Sequence, residues 1–219
     1  IIDVALKYGY DSPESFSRAF TKFHGITPSQ AKTKGANLKS FSRLSVKLIL
    51  EGGTVMDYRI EKKDAFKVIV KKESFSTDNE INKKEIPEFW DRCRKDGTVQ
   101  KLCSFMDKKG VFGDAVVGIC FGNSATDKNF PYAIGTAYKG GDVPKDFTIE
   151  EIPSLTWAIF KCTGAMPNSI QELWHRIYTE FFPTSEYEPC GGIDFEVYLD
   201  GDIHSPKYES EIWISVTKK

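Results

Sequence analysis

Glu88-Phe89-Trp90-Asp91-Arg92 and Glu172-Leu173-Trp174-His175-Arg176 repeat one pattern: glutamate, an apolar residue, tryptophan, any residue, arginine. The two tryptophans are 84 residues apart. Both segments read as amphipathic helices that carry a tryptophan beside the apolar stripe. Each follows a β-rich stretch, Phe66 to Phe75 before the first and Leu155 to Cys162 before the second. Each is followed by two more: Ala115 to Phe121 and Tyr132 to Tyr138, then Ile193 to Leu199 and Glu211 to Val216. The pattern predicts an internal duplication of a β-α-β-β unit and hence an α+β fold. Two unrelated helices that each bury a tryptophan would leave the same trace. Upstream, Ser45 to Leu50 and Val55 to Ile60 read as strands on either side of a Gly52-Gly53 turn.

The composition agrees with a folded chain. Of 219 residues, 40% are hydrophobic and 28% charged, which excludes a fibre, a coiled coil or a disordered tail. No apolar run approaches the ~20 residues of a membrane span. No leader pattern opens the sequence, so a cytoplasmic protein is expected. The five cysteines form no C-x-x-C pair, and the three histidines lie far apart. Reduced thiols and no metal centre are expected. No phosphate-binding glycine motif is present, and no Cys or Ser stands beside a histidine base, so neither a cofactor nor a nucleophile is indicated.

Charge is uneven along the chain. Residues 1–40 hold six Lys/Arg against three acids, +3, while the other 179 hold 24 bases and 28 acids, −4. A basic head on an acidic body suits one task beside a polyanion and another away from it. The head reads as helical. Ile1, Ala5 and Tyr8 have helical spacing, and Gly9 stops that segment. Asp11 or Ser12 caps a second helix, Pro13 fits its first turn, and Gly25 ends it. Phe16, Phe20 and Phe23 fall on one side of this helix and are expected in its core. On the rest of its surface lie Glu14, Ser15, Ser17, Arg18, Thr21 and Lys22.

Ile2, Ala5, Gly9, Tyr10, Ser12, Phe16, Arg18, Phe20, Gly25, Thr27 and Pro28 stand in a spacing that closely resembles the second helix-turn-helix of the AraC/XylS family of bacterial transcription regulators. That family reads DNA with two such motifs, and only the second is represented here. The resemblance implies DNA as a partner of the full-length protein, met by Pro13 to His24 through Glu14, Ser15, Ser17, Arg18, Thr21 and Lys22. Arg18 has a second reading, an internal ion pair with Asp3. Farther on, the Gly52-Gly53 turn with Tyr58-Arg59-Ile60, then Phe89-Trp90, then Phe195-Glu196-Val197-Tyr198 with Glu211-Ile212-Trp213-Ile214, resemble the GyrI-like effector-binding domain. The implied organisation is a partial helix-turn-helix at 1–36, a linker at 37–42 and an effector-binding domain at 43–219, whose two halves flank a pocket.

Strand alternation places Asp194, Glu196 and Tyr198 on one face and Phe195 and Val197 on the other. A carboxylate among aromatic rings is costly without a partner. Relatives of the GyrI-like domain bind lipophilic cations, and Glu196 with aromatic faces around it would provide both charge and cation–π attraction. The expected ligand site is therefore Glu196, Tyr198, Glu211, Trp213, Trp174, Trp90, Tyr138 and Phe121, with Tyr132 as a further lining candidate. The resemblance implies a ligand-responsive regulator with a small-molecule effector and no catalytic role. It leaves two alternatives open, a hydrolase using Glu196 and Tyr198 and a protein that sequesters another protein.

Overall fold

The computed structural model describes residues 1–39, 55–78, 81–122 and 128–219. The predicted strand at 45–50, the Gly52-Gly53 turn and part of the 37–42 linker lie outside the described residues. The chain forms two compact units, Ile1–Gly53 and Thr54–Lys219.

In the first unit, α1 spans Ile2–Lys7 and α2 spans Pro13–His24, followed by a 3-10 turn at Gln30–Lys32. Ser12 caps α2, its hydroxyl accepting from the Ser15 N–H at 3.1 Å, and Gly25 closes the helix. Phe16 and Ala5 are buried. Phe23 departs from the expectation: it is 46% exposed, with its ring edge against His24 at 4.7 Å, whereas Phe16, about two turns earlier on the same stripe, is buried. Arg18 is exposed, and no ion pair between it and Asp3 is seen among the described residues.

The second unit is α+β. Its strands are β1 Tyr58–Lys63, β2 Phe66–Ser76, β3 Val116–Phe121, β4 Asn129–Ala137, β5 Thr148–Ile152, β6 Leu155–Thr163, β7 Tyr187–Tyr198 and β8 Glu209–Lys218. The helices are α3 Asn82–Lys95, α4 Thr98–Ser104, α5 Asn168–Arg176 and α6 Phe182–Thr184. A π-helical turn, Ile177–Phe181, joins the last two. β1 begins later than expected, at Tyr58, and runs on to Lys63, where β6 offers a partner.

All strand pairs are antiparallel, in the order β1-β6-β8-β7-β3-β4-β2-β5. Two β-α-β-β units are visible in this order, β2-α3-β3-β4 and β6-α5-β7-β8, joined where β3 pairs with β7. Each unit also lends a strand to the other. β1 leads into β2 yet pairs with β6, and β5 leads into β6 yet pairs with β2.

Only Asp64 and Ala65 separate β1 from β2, a link of at most ~11 Å. In a flat sheet the two strands would stand six spacings apart, ~29 Å. The sheet must therefore curl until its ends approach. The Ser154 hydroxyl, in the matching β5–β6 link, donates to the Lys63 carbonyl at 2.9 Å. Phe66 on β2 lies 6.2 Å from Phe195 on β7, three strands away.

The concave face encloses one core, with Val68, Val70, Val117, Trp157, Ile159, Phe195 and Trp213 from all parts of the sheet. On the convex face, α3 and α4 lie over β2 and β4 and bury Phe89 and Leu102, while α5 and the π turn lie over β6 and β8 and bury Leu173 and Ile177. β3 and β7 form the floor between these two helical layers.

Phe195 is fully buried, 5.0 Å from Phe112 and 5.2 Å from Trp157. Phe195→Ala is expected to cost ~3–5 kcal/mol, read as a lowered urea midpoint in equilibrium unfolding followed by circular dichroism. An unchanged midpoint would place the curled core elsewhere.

Candidate functional site

On β7, Asp194, Glu196 and Tyr198 project to the convex side, into the cleft between the helical layers. Phe195 and Val197 project into the curled core. The register places Gly118 of β3 opposite Glu196 and Cys120 opposite Asp194. Gly118 is needed for space. A Cβ there would stand 2.2 Å from the Tyr132 hydroxyl and 3.4 Å from Glu196 Oε2, so only glycine lets these side chains lie across the strand.

Glu196 is held by neutral donors. Trp174 Nε1–H donates to Oε1 at 2.8 Å, and the Tyr198 hydroxyl donates to Oε2 at 2.8 Å. The Tyr132 hydroxyl lies 3.5 Å from Oε2 and accepts from Trp90 Nε1–H at 2.9 Å. Both repeat tryptophans thus direct their indole N–H toward one carboxylate, Trp174 directly and Trp90 through Tyr132. The Trp90 ring meets Tyr198 edge-on at 5.2 Å, and Trp174 stacks with half-exposed Tyr178 at 6.2 Å and 18°. Burial raises the Tyr132 and Tyr198 phenols well above their usual range, and the Glu196 charge adds to this. Both therefore remain hydrogen-bond donors at neutral pH.

Among the described residues, no Lys or Arg pairs with Glu196. The arginines of α3 and α5 pair with other acids: Arg92 with Glu73 at 2.7 Å, Arg94 with Asp91 at 2.7 Å and Arg176 with Glu180 at 3.0 Å. The carboxylate's oxygens are therefore satisfied by hydrogen bonds while its charge has no counter-ion. Burial also pushes the Cys120 thiol up to about 12, which removes it as a nucleophile near neutral pH.

Of the residues expected at the site, Glu196, Tyr198, Trp174 and Trp90 converge. Four do not. Glu211 and Trp213 project from the opposite face, because Ile212 is the residue aligned with Glu196. Glu211 instead binds Arg59 at 2.8 and 3.2 Å and accepts from Trp213 Nε1–H at 2.7 Å. Phe121 also faces the concave side, 4.6 Å beneath the Lys72 ammonium. Tyr138 lies six residues beyond Tyr132 along one strand direction, ~20 Å away, and its hydroxyl donates to the Gly141 carbonyl.

Tyr132 is the lining candidate that the structure brings into this group, while Asp194 and Tyr178 enter the cleft unforeseen. Asp194 was legible as sharing Glu196's face, but Tyr178 had no signal beyond its i+4 spacing from Trp174. A depression of about 470 Å³ lies elsewhere, along β2 and β5, lined in part by Lys72, Pro131 and Glu150. In the first unit, the Ser15 and Thr21 hydroxyls donate to the Ser12 and Ser17 carbonyls, while Glu14, Arg18 and Lys22 are exposed.

Burial raises the Asp194 carboxyl to about 6, opposed by a hydrogen bond from the Ser215 backbone. In the unfolded chain this group has the ordinary aspartate pKa of ~3.9. The folded state keeps a proton that the unfolded state releases, so this group's stabilisation is complete below ~4 and is lost as pH rises through 6. The loss amounts to at most ~3 kcal/mol. Asp194→Asn is expected to gain Tm relative to wild type between pH 5 and pH 8 in thermal melts. A difference independent of pH would contradict the assignment.

The profile of the integron-associated effector-binding protein Cass2 matches residues 59–216. Among solved structures, that of SAV2435 bound to tetraphenylphosphonium is similar at 24% identity over 74% of this chain and 94% of that one, with a TM-score of 0.62. A bacterial transcription regulation protein from Staphylococcus aureus, described as putative, is similar at 24% identity over 74% and 99%, with a TM-score of 0.61. An integron cassette protein from Vibrio cholerae shares 18% identity over 73% and 95%, with a TM-score of 0.51. At these identities the likeness is one of fold. No curated protein matches the sequence significantly.

Proposed function

The chain belongs to the integron-associated effector-binding family typified by Cass2, and on that premise we propose that its second unit senses lipophilic cations in the cleft over β3 and β7, with Glu196 as the counter-charge. One observation carries this reading: among the described residues Glu196 receives hydrogen bonds from neutral donors, Trp174 and Tyr198 at 2.8 Å and Tyr132 at 3.5 Å, and pairs with no cation, so its charge is left for a ligand to balance. Trp90, Trp174 and Tyr198 supply ring surfaces beside it, each worth ~0.5–2 kcal/mol to a desolvated cation. The ligand of the similar SAV2435 structure, tetraphenylphosphonium, is a cation of this class.

Binding rather than hydrolysis is favoured by the donors themselves. Tyr198 and Tyr132 are held as phenols, and Cys120 is held as a thiol. The family carries effector-binding domains, and the Staphylococcus aureus relative is described as a transcription regulation protein. The proposed role here is accordingly that of a ligand-responsive regulator. In this reading α2 meets DNA, with Arg18 and Lys22 toward phosphates and Glu14, Ser15, Ser17 and Thr21 beside them. Its response requires that the effector favour one of two states.

Tetraphenylphosphonium and tetraphenylborate share a shape and differ in charge sign. Calorimetry is expected to show binding of the phosphonium alone, weakened by ~1–3 kcal/mol, about fivefold to 150-fold, in Glu196→Gln. Equal affinities for the two ions, or no loss in the variant, would overturn cation sensing. Turnover of p-nitrophenyl acetate by wild type and not by Glu196→Gln would assign the hydrolase instead.

A further inference from the structure

The face of β7 that carries Glu196 continues past it. Asp194 lies two residues away on the same face of β7, so the two acids stand roughly 7 Å apart along the floor. The Trp174–Tyr178 stack spans that interval. Trp174 donates to Glu196 at one end, and at the other the Asp194 charge acts on the Tyr178 hydroxyl, which stands at about 12 chiefly through burial. The floor and one wall therefore form a slot with an aromatic side and an acid at each station.

The groups facing Asp194 can be named for each neighbouring element. β3 presents Cys120, β7 presents Glu196, the π turn presents Tyr178, and β8 presents the Ser215 backbone N–H. None is a cation. The Ser215 contact has a structural purpose. β7 takes five steps from Pro189 to Asp194 while β8 takes two from Val216 to Ile214, so Ser215 falls where the ladder is interrupted. Among the described residues, one neutral donor leaves the Asp194 charge, like that of Glu196, without a counter-ion.

We propose that Asp194 is a specificity-determining residue of the cleft, and that the slot prefers compact aromatic diamines, with one ammonium group at Glu196 and the other at Asp194, over monoamines of the same ring. This rests on the reading of Glu196 as the cation's partner. A ligand with two ammonium groups across one benzene ring matches the separation of the two carboxylates. A monoamine satisfies one and leaves the other exposed to the same desolvation cost.

The test compares p-xylylenediamine with benzylamine, read by the change in intrinsic tryptophan fluorescence of the full chain at pH 7.5, to which Trp174 and Trp90 contribute. Wild type is expected to bind the diamine at least about tenfold more tightly, the scale of one charge-assisted hydrogen bond. Asp194→Asn, which keeps an oxygen for the Ser215 N–H, brings the diamine to the affinity of benzylamine. In unmutated protein the preference shrinks as pH falls from 8 to 5 and Asp194 takes up its proton, a result that does not depend on how the variant folds.

A diamine that binds no better than benzylamine overturns the proposal. So does a preference that survives both Asp194→Asn and acid pH. Binding of both amines that is unaffected by Glu196→Gln, with the Asp194-dependent preference intact, overturns the Glu196 reading and leaves the Asp194 station standing.

Discussion

Two residues join β1 to β2, and two join β5 to β6, although each pair lies six places apart in an eight-stranded sheet. That covalent constraint dictates the architecture. A flat sheet cannot satisfy links this short, so the strands curl around a core that includes Trp157, Phe195 and Trp213. With one face closed on itself, the helices can pack only on the other. They do so as two layers, one for each β-α-β-β unit, and the junction of the units at β3 and β7 is left as the floor of a cleft. The site follows from the closure of the sheet and the symmetry of the repeat.

Placing an ionised acid on that floor is opposed by desolvation. The fold limits the cost with hydrogen bonds from both halves: Trp174 and Tyr198 act on Glu196 directly, while Trp90 acts through Tyr132. These donors orient the carboxylate without neutralising it. A cation from the protein would have stabilised the resting state and competed with a cationic ligand. Among the described residues the arrangement leaves that charge unpaired, which is what the proposed cation site requires. Gly118 belongs to the same arrangement, since a side chain there would occupy the space of the Tyr132 hydroxyl.

The repeat of Trp90 and Trp174 made the two-unit fold legible, and alternation along β7 made the face of Glu196 and Tyr198 legible. Both are local periodicities. The face of Glu211 and Trp213 was not legible, because it depends on which β8 residue aligns with Glu196, and register is set by the bulge near Gly191 and Gly192. Phe121 was misplaced for the same reason: its face follows from the alignment of Cys120 with Asp194. Tyr138 failed on distance along its strand, not on face. The exchange of β1 and β5 between units has no sequence signature at all, since each short link resembles a hairpin turn whose strands would pair with each other.

In the proposed role Glu196 is the counter-charge of a cation bound between the two helical layers. A crystal structure of the protein with tetraphenylphosphonium is expected to show the phosphonium against Glu196, its phenyl rings on Trp90 and Trp174. Phosphonium seated along β2 and β5 beside Lys72 and Glu150, with Trp174 still donating to an uncontacted Glu196, would contradict it.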